Sequence, residues 1–154
     1  MDFWEVINKR KSVRSFVADR EVSDEQIEKI IEAGKKAPSA GGLRPVEILV
    51  IKDSEKKKML ARAALGQNFI TQAPAVIVAV VDVEKTASVY GQRGEKLYSI
   101  QDGAAAIENM LLAATALGLS SCWVGAFDEK KVKKILGLDG DKRPQAILPI
   151  GYEK

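Results

Sequence analysis

Residues 75–82 read AVIVAVVD, seven apolar positions in succession closed by an aspartate. A strand with one face in water alternates apolar and polar residues. A run without alternation reads instead as a strand covered on both faces, in the middle of a sheet. Helices must supply those covers. A chain of 154 residues is long enough for this arrangement, since one of this size buries roughly two-thirds of the surface its unfolded form exposes. No repeat, low-complexity tract or linker divides the sequence, so residues 1–154 are expected to form one domain around a shared core.

The flanking segments carry helix and strand signals. Asp2 can cap a short helix to about Asn8 that carries Phe3, Trp4, Val6 and Ile7. Ser23 with Gln26 matches a capping box, and Ile27, Ile30, Ile31 and Gly34 form an apolar stripe behind it that Pro38 ends. VEILVIK, up to Lys52, reads as a strand. Asp53 and Ser54 open a helix that stops at Gly66, with Lys56, Lys57 and Lys58 on a solvated face. Residues 98–117 form the longest helical pattern, apolar nearly all round. Such a helix is about 30 Å long and hard to bury within so small a chain, so a second subunit is its expected cover. Gly118 is its expected stop. SSCWVGAF follows, then a helix capped by Asp128 with Val132, Ile135 and Leu136 inward and Gly137 at its end, then a last strand in QAILPIGY. Trp4, Trp123 and Phe127 are expected as core aromatics. The fold class is α+β, with three or more strands between helices.

Composition removes several chemistries. The chain has no histidine and one cysteine, Cys122, so Ser-His-Asp and Cys-His catalysis, the HExxH motif and a disulfide framework are all excluded. Cys122, in an apolar segment, is expected to be a small buried residue. No GxxxxGK[ST] occurs, and no GxGxxG follows a strand to open a helix. Carboxylate pairs such as Glu28 with Glu32, or Asp139 with Asp141, sit among lysines on faces or turns that read as exposed, and no metal site is assigned. The net charge of +3 comes from 24 basic and 21 acidic residues interleaved along the chain, weak grounds for a nucleic-acid partner. No segment approaches the roughly 20 apolar residues of a membrane span. The start, MDFWEVINKRK, lacks the pattern of a secretory signal, and a cytoplasmic location is expected.

Three segments remain: RKSVR at residues 10–14, APSAGGLRP at 37–45 and GLSSCWVGAF at 118–127. Arginine's planar fork grips phosphate bidentately, serine adds a short donor, and glycine-rich backbone brings amides close to a flat polar ring. A ligand with one phosphate and one polar heterocycle fits all three.

In this order the motifs resemble the FMN-dependent nitroreductases over residues 4–152: R-x-S-x-R before the first long helix, A-P-S-x-x-x-x-x-P before a strand, an AP plus apolar strand, the helix QDGAAAIENMLLAATALGL, the turn CWVGAF and a terminal PIGY. The resemblance implies a central, mostly antiparallel sheet flanked by helices, in a homodimer whose FMN sites are shared between subunits. It implies that Arg10, Ser12 and Arg14, with Lys11 beside them, bind the flavin phosphate, ribityl chain and pyrimidine edge. Pro38, Ser39, Ala40, Gly41 and Gly42 are implied to reach the ring face from the partner. Asn68, with Gln67, falls near the pyrimidine, and the backbone amides of Val124 and Gly125 fall near N5. Gly42 and Arg44 stand where the family usually has asparagine and glutamine. With only two residues after Tyr152, phosphate affinity is expected to lean on Arg10, Lys11 and Arg14. The implied activity is hydride transfer from NAD(P)H through flavin to a nitroaromatic, quinone or similar small acceptor, with ping-pong kinetics. The alternatives are a flavin-binding protein without nicotinamide turnover and a family member that modifies its own flavin.

Overall fold

The computed structural model describes residues 1–154. In chain order it comprises α1 (Phe3–Lys9), α2 (Asp24–Lys35), a 3-10 turn (Ala40–Gly42), β1 (Val46–Ile51), α3 (Ser54–Ala63), α4 (Phe69–Gln72), β2 (Ala75–Asp82) and α5 (Val83–Arg93). A π-helical turn (Gly94–Tyr98), α6 (Ser99–Ala116), β3 (Ser120–Ser121), α7 (Glu129–Leu136) and β4 (Lys142–Gly151) complete it. The four strands pair antiparallel in the order β1-β2-β4-β3.

The apolar run is the hinge of the architecture, because successive residues of a strand point to opposite faces. Val76, Val78 and Val80 enter one buried cluster with Leu60, Ala63 and Val132. Ala75, Ile77 and Ala79 enter the other, with Ile30, Ile107 and Met110. One strand therefore supplies two cores, with α3 and α7 covering one face and α2 and α6 the other. Alanines on the second face let α6 lie close to the sheet, and Gly34 of α2 admits Ile48 and Met110 where a Cβ would stand 2.9 Å from each.

The capping signals act as read. Asp2 and Ser23 form capping boxes with Glu5 and Gln26, Asp53 and Asp128 accept backbone hydrogen bonds from Lys56 and Lys131, and Gly118 and Gly137 adopt positive φ after α6 and α7. Three expectations need correction. Trp4 is 70% exposed, because α1 buries only Val6 and turns Phe3, Trp4 and Ile7 outward, and Trp123, in the turn after β3, is 37% exposed; Phe127 does pack against the core. Lys57 is not on a solvated face: its Nζ donates to the Ala73 carbonyl at 2.8 Å, and burial pushes its pKa down. The helix α5, capped by Asp82, was not expected, since Gly91 and Gly94 break its periodicity. No helix is long and apolar enough to cross a membrane.

Candidate active site

The cationic pentapeptide is extended rather than helical. α1 ends as the Arg10 N–H donates to the Val6 carbonyl, and the chain then lies beside β3, with the Val13 N–H donating to the Ser121 carbonyl at 2.9 Å and Ser12 bridged to Ser121. Extended backbone alternates its side chains. Val13 is buried, whereas Ser12 and Arg14 are exposed, so the hydrophobic contact that fixes the segment also aims the polar pair outward. Arg10 Nε lies 3.9 Å from Glu108 Oε1, and Lys11 Nζ donates to Glu153 Oε1 at 2.8 Å. Arg14 takes part in none of the eight ion pairs of the chain, which leaves its whole fork free.

Beneath Ser12 and Arg14 lies Cys122, 2% exposed. Burial pushes its thiol pKa up, while the Arg14 charge and a hydrogen bond with Ser12 act in the opposite direction. A buried thiol of raised pKa is a poor nucleophile, so Cys122 is a packing residue.

The turn after it separates two residues that sequence paired. Val124 is buried, and its N–H and carbonyl are both exchanged with Ile147 at 2.9 and 3.0 Å. Its amide is therefore committed to the sheet. Gly125 is exposed and its N–H joins no backbone hydrogen bond. Gln67 and Asn68 divide the same way. Gln67 Nε2 donates to the Ala64 and Ala126 carbonyls at 2.9 and 3.1 Å, which clips the turn in place. Asn68, exposed at the start of α4, makes no capping hydrogen bond.

The second group of site residues lies elsewhere. The loop after α2 turns through Gly41 and Gly42 at φ 59° and 65°, with Arg44 at φ 51°. Glycine and asparagine are the residues that adopt this region most readily, which accounts for glycine standing at position 42. Ser39 Oγ accepts a hydrogen bond from the Arg44 N–H at 2.9 Å. A Cβ on Gly41 would stand 2.6 Å from Tyr90 Oη, so the loop rests on α5 at that point. Pro38, Ser39 and Ala40 line a cavity of about 500 Å³ with Tyr90, Tyr98 and Gln101; the sequence reading missed this aromatic wall with the helix that carries it.

The two groups attach to α6 at different points: Arg10 pairs with Glu108, and the Ala40 N–H donates to Asp102 Oδ1 at 3.0 Å. Six helical residues separate these anchors by about 9 Å along the axis and about 120° around it. Within one chain, Arg10 and the loop are thus held at different faces of α6.

Comparison with known proteins places this arrangement. The family model described as the nitroreductase family matches residues 7–152. A candidate NADH dehydrogenase/NAD(P)H nitroreductase of Archaeoglobus fulgidus is 34% identical, covering 97% of this chain and 84% of that protein. The crystal structure of a nitroreductase family protein from Clostridium novyi superposes with a TM-score of 0.91 at 31% identity, over 100% of this chain and 86% of that one. That of the NADPH:FMN oxidoreductase from Vibrio harveyi complexed with NAD+ gives 0.88 at 28% identity, over 98% and 68%. The fold is thus shared along nearly the whole chain, and this chain belongs to the nitroreductase family.

Proposed function

We propose that the chain is an FMN-dependent NAD(P)H oxidoreductase that acts as a homodimer, each FMN held by the cationic segment of one copy and the loop at residues 38–42 of the other. The observation that carries this reading is a set of exposed groups able to meet a ligand: the unpaired Arg14 fork, the Ser12 hydroxyl, the Asn68 side chain and the Gly125 amide. A cation, a hydroxyl and two neutral donors match a phosphate, a ribityl chain and the polar edge of a flavin ring. The separation of the Arg10 and Ala40 anchors around α6 supports a site completed by a second copy. When bound, FMN would supply the redox chemistry that links NAD(P)H to a nitroaromatic, quinone or similar small acceptor.

The residues of the chain bind, orient and shield. Arg10, Lys11, Ser12 and Arg14 hold the phosphate and ribityl groups, and Arg14 also places positive charge toward the pyrimidine edge. Asn68 would orient the pyrimidine edge, and the Gly125 amide would donate to the ring. Gln67 and Val124 act at one remove, pinning the turn on either side of Gly125 through Ala126 and Ile147. Pro38, Ser39, Ala40, Gly41 and Gly42 of the second copy close over the ring and exclude water. Donor and acceptor use one face in turn, which gives ping-pong kinetics.

Anaerobic titration of the FMN-loaded protein with NADH and with NADPH tests the reading. Bleaching of the visible flavin band by at least one of them, with colour restored by a quinone or nitroaromatic, is expected. Bound FMN that stays oxidised under excess of both would overturn it in favour of flavin binding without turnover.

A further inference from the structure

Asp102, in the first turns of α6, is 6% exposed, and it makes an unusual use of its carboxylate. Oδ1 accepts the Ala40 N–H at 3.0 Å. Oδ2 is buried and has no partner at all. A buried carboxylate with one satisfied oxygen is costly, and burial duly pushes its pKa up, against the opposing effect of the Ala40 hydrogen bond. An acid retained at such a cost calls for an explanation in what it holds. Asp102 caps no helix and pairs with no cation; its one hydrogen bond goes to the loop.

The loop, in turn, depends on that bond. Its backbone passes through positive φ at Gly41, Gly42 and Arg44, conformations that persist only where surroundings fix them. Its other hydrogen bonds are internal: Gly42 N–H to the Ser39 carbonyl, Leu43 N–H to the Ala40 carbonyl, and Arg44 N–H to Ser39 Oγ. Nothing else outside the loop hydrogen-bonds to residues 38–44. A cavity of about 240 Å³, lined by Gly34, Ala37, Pro38, Ser39, Arg44 and Asp102 among others, adjoins it, and besides the contact of Gly41 with Tyr90 the Asp102 bond is its polar tie to the rest of the fold.

We propose that Asp102 is a positioning residue for the flavin site: its carboxylate oxygen tethers Ala40 and thereby sets the loop that each copy presents to the FMN of the other. This rests on the shared-site reading above, but the tether itself belongs to one chain and is testable without flavin. The decisive property is an acceptor at Oδ1 and not a charge, so asparagine should replace aspartate and alanine should not.

The experiment compares wild type, Asp102→Asn and Asp102→Ala by amide hydrogen exchange at Ala40 in the apo-protein and by FMN affinity from fluorescence quenching. Ala40 is expected to be protected in wild type and Asp102→Asn, and to exchange at least tenfold faster in Asp102→Ala. FMN affinity is expected to stay within about threefold in Asp102→Asn and to fall tenfold or more in Asp102→Ala, tenfold being about 1.4 kcal/mol. An Ala40 amide that exchanges in wild type as fast as an open loop overturns the tether, as does Asp102→Asn behaving like Asp102→Ala. Unchanged FMN affinity in Asp102→Ala overturns the role in the site. Should the alanine variant not fold, protection of Ala40 in wild type against its loss or retention in Asp102→Asn still decides the matter. Failure of wild type to bind FMN would instead refute the shared-site reading and leave the exchange result standing.

Discussion

Arg14 is the site residue whose role is most sharply defined by what it lacks. Arg10 and Lys11 each face a carboxylate, whereas Arg14 is exposed and unpaired, so no carboxylate of the chain offsets its charge toward a ligand. A cation near a ring stabilises the more negative of two redox states. Replacing it therefore makes the bound flavin harder to reduce, and the midpoint potential of FMN in Arg14→Ala is expected to move negative by about 30 mV or more, the two-electron equivalent of about 1.4 kcal/mol. Spectroelectrochemistry on protein with confirmed FMN occupancy measures it, and an unchanged potential removes the assignment. Arg10, Ser12 and Arg14 were singled out through the family resemblance, because a cation-rich pentapeptide with a single apolar residue, Val13, reads by itself as a solvated basic face. Sequence could not choose between Val124 and Gly125 or between Gln67 and Asn68. Those choices depend on hydrogen bonds donated to the Ile147 and Ala126 carbonyls, which lie on chain segments that fold back from a distance. The same limit hid Asp102, whose partner Ala40 is 62 residues away.

Among the elements, β2 was the most readable, since its apolar run states directly that two layers cover it. Its neighbour α6 was readable as a helix but not as a surface. The buried stripe of Gly103, Ala106, Ile107, Met110, Leu111 and Ala114 is clear, yet nothing local says that Ile100 is 39% exposed. Gly103 marks where α6 meets the sheet. A Cβ there would collide with Gln145 Oε1 and stand 2.9 Å from Val81 Cγ2, and Gln145 is held in place by the bond from its Nε2 to the Ile100 carbonyl at 2.7 Å. Overpacking of this kind costs about 1–3 kcal/mol, against about 0.8–1.0 kcal/mol gained by alanine over glycine in a helix. Gly103→Ala is expected to lower the melting temperature of the apo-protein, by up to about 8 °C for a chain of this size. Calorimetry checks this; a variant more stable than wild type would show that α6 has room to move away from Gln145. The helix α5 escaped notice for the opposite reason, because glycines at 91 and 94 interrupt the period by which a helix is recognised.

At the scale of the molecule, one chain looks unfinished. Phe3, Trp4 and Ile7 stand together on α1 at 63, 70 and 38% exposed, an apolar face of the kind that marks an interaction surface. The sequence suggested a second subunit from the apolar breadth of α6, and the outward turn of α1 adds an independent reason for one. The two halves of the proposed site, fixed about 120° apart around α6, give the second copy a function beyond covering apolar surface. A complementation experiment tests this most directly. One variant, Ser12→Glu with Arg14→Glu, repels the phosphate; another, Pro38→Trp, blocks the loop face; each alone should bind FMN at least tenfold more weakly than wild type. In a mixed dimer of the two, a site shared between copies leaves one site with both lesions and the other with none, so one FMN per dimer should bind with wild-type affinity. If each site were instead built within a single chain, every site would carry one lesion, and tagged, purified mixed dimers would bind FMN no better than either parent, which would contradict the account.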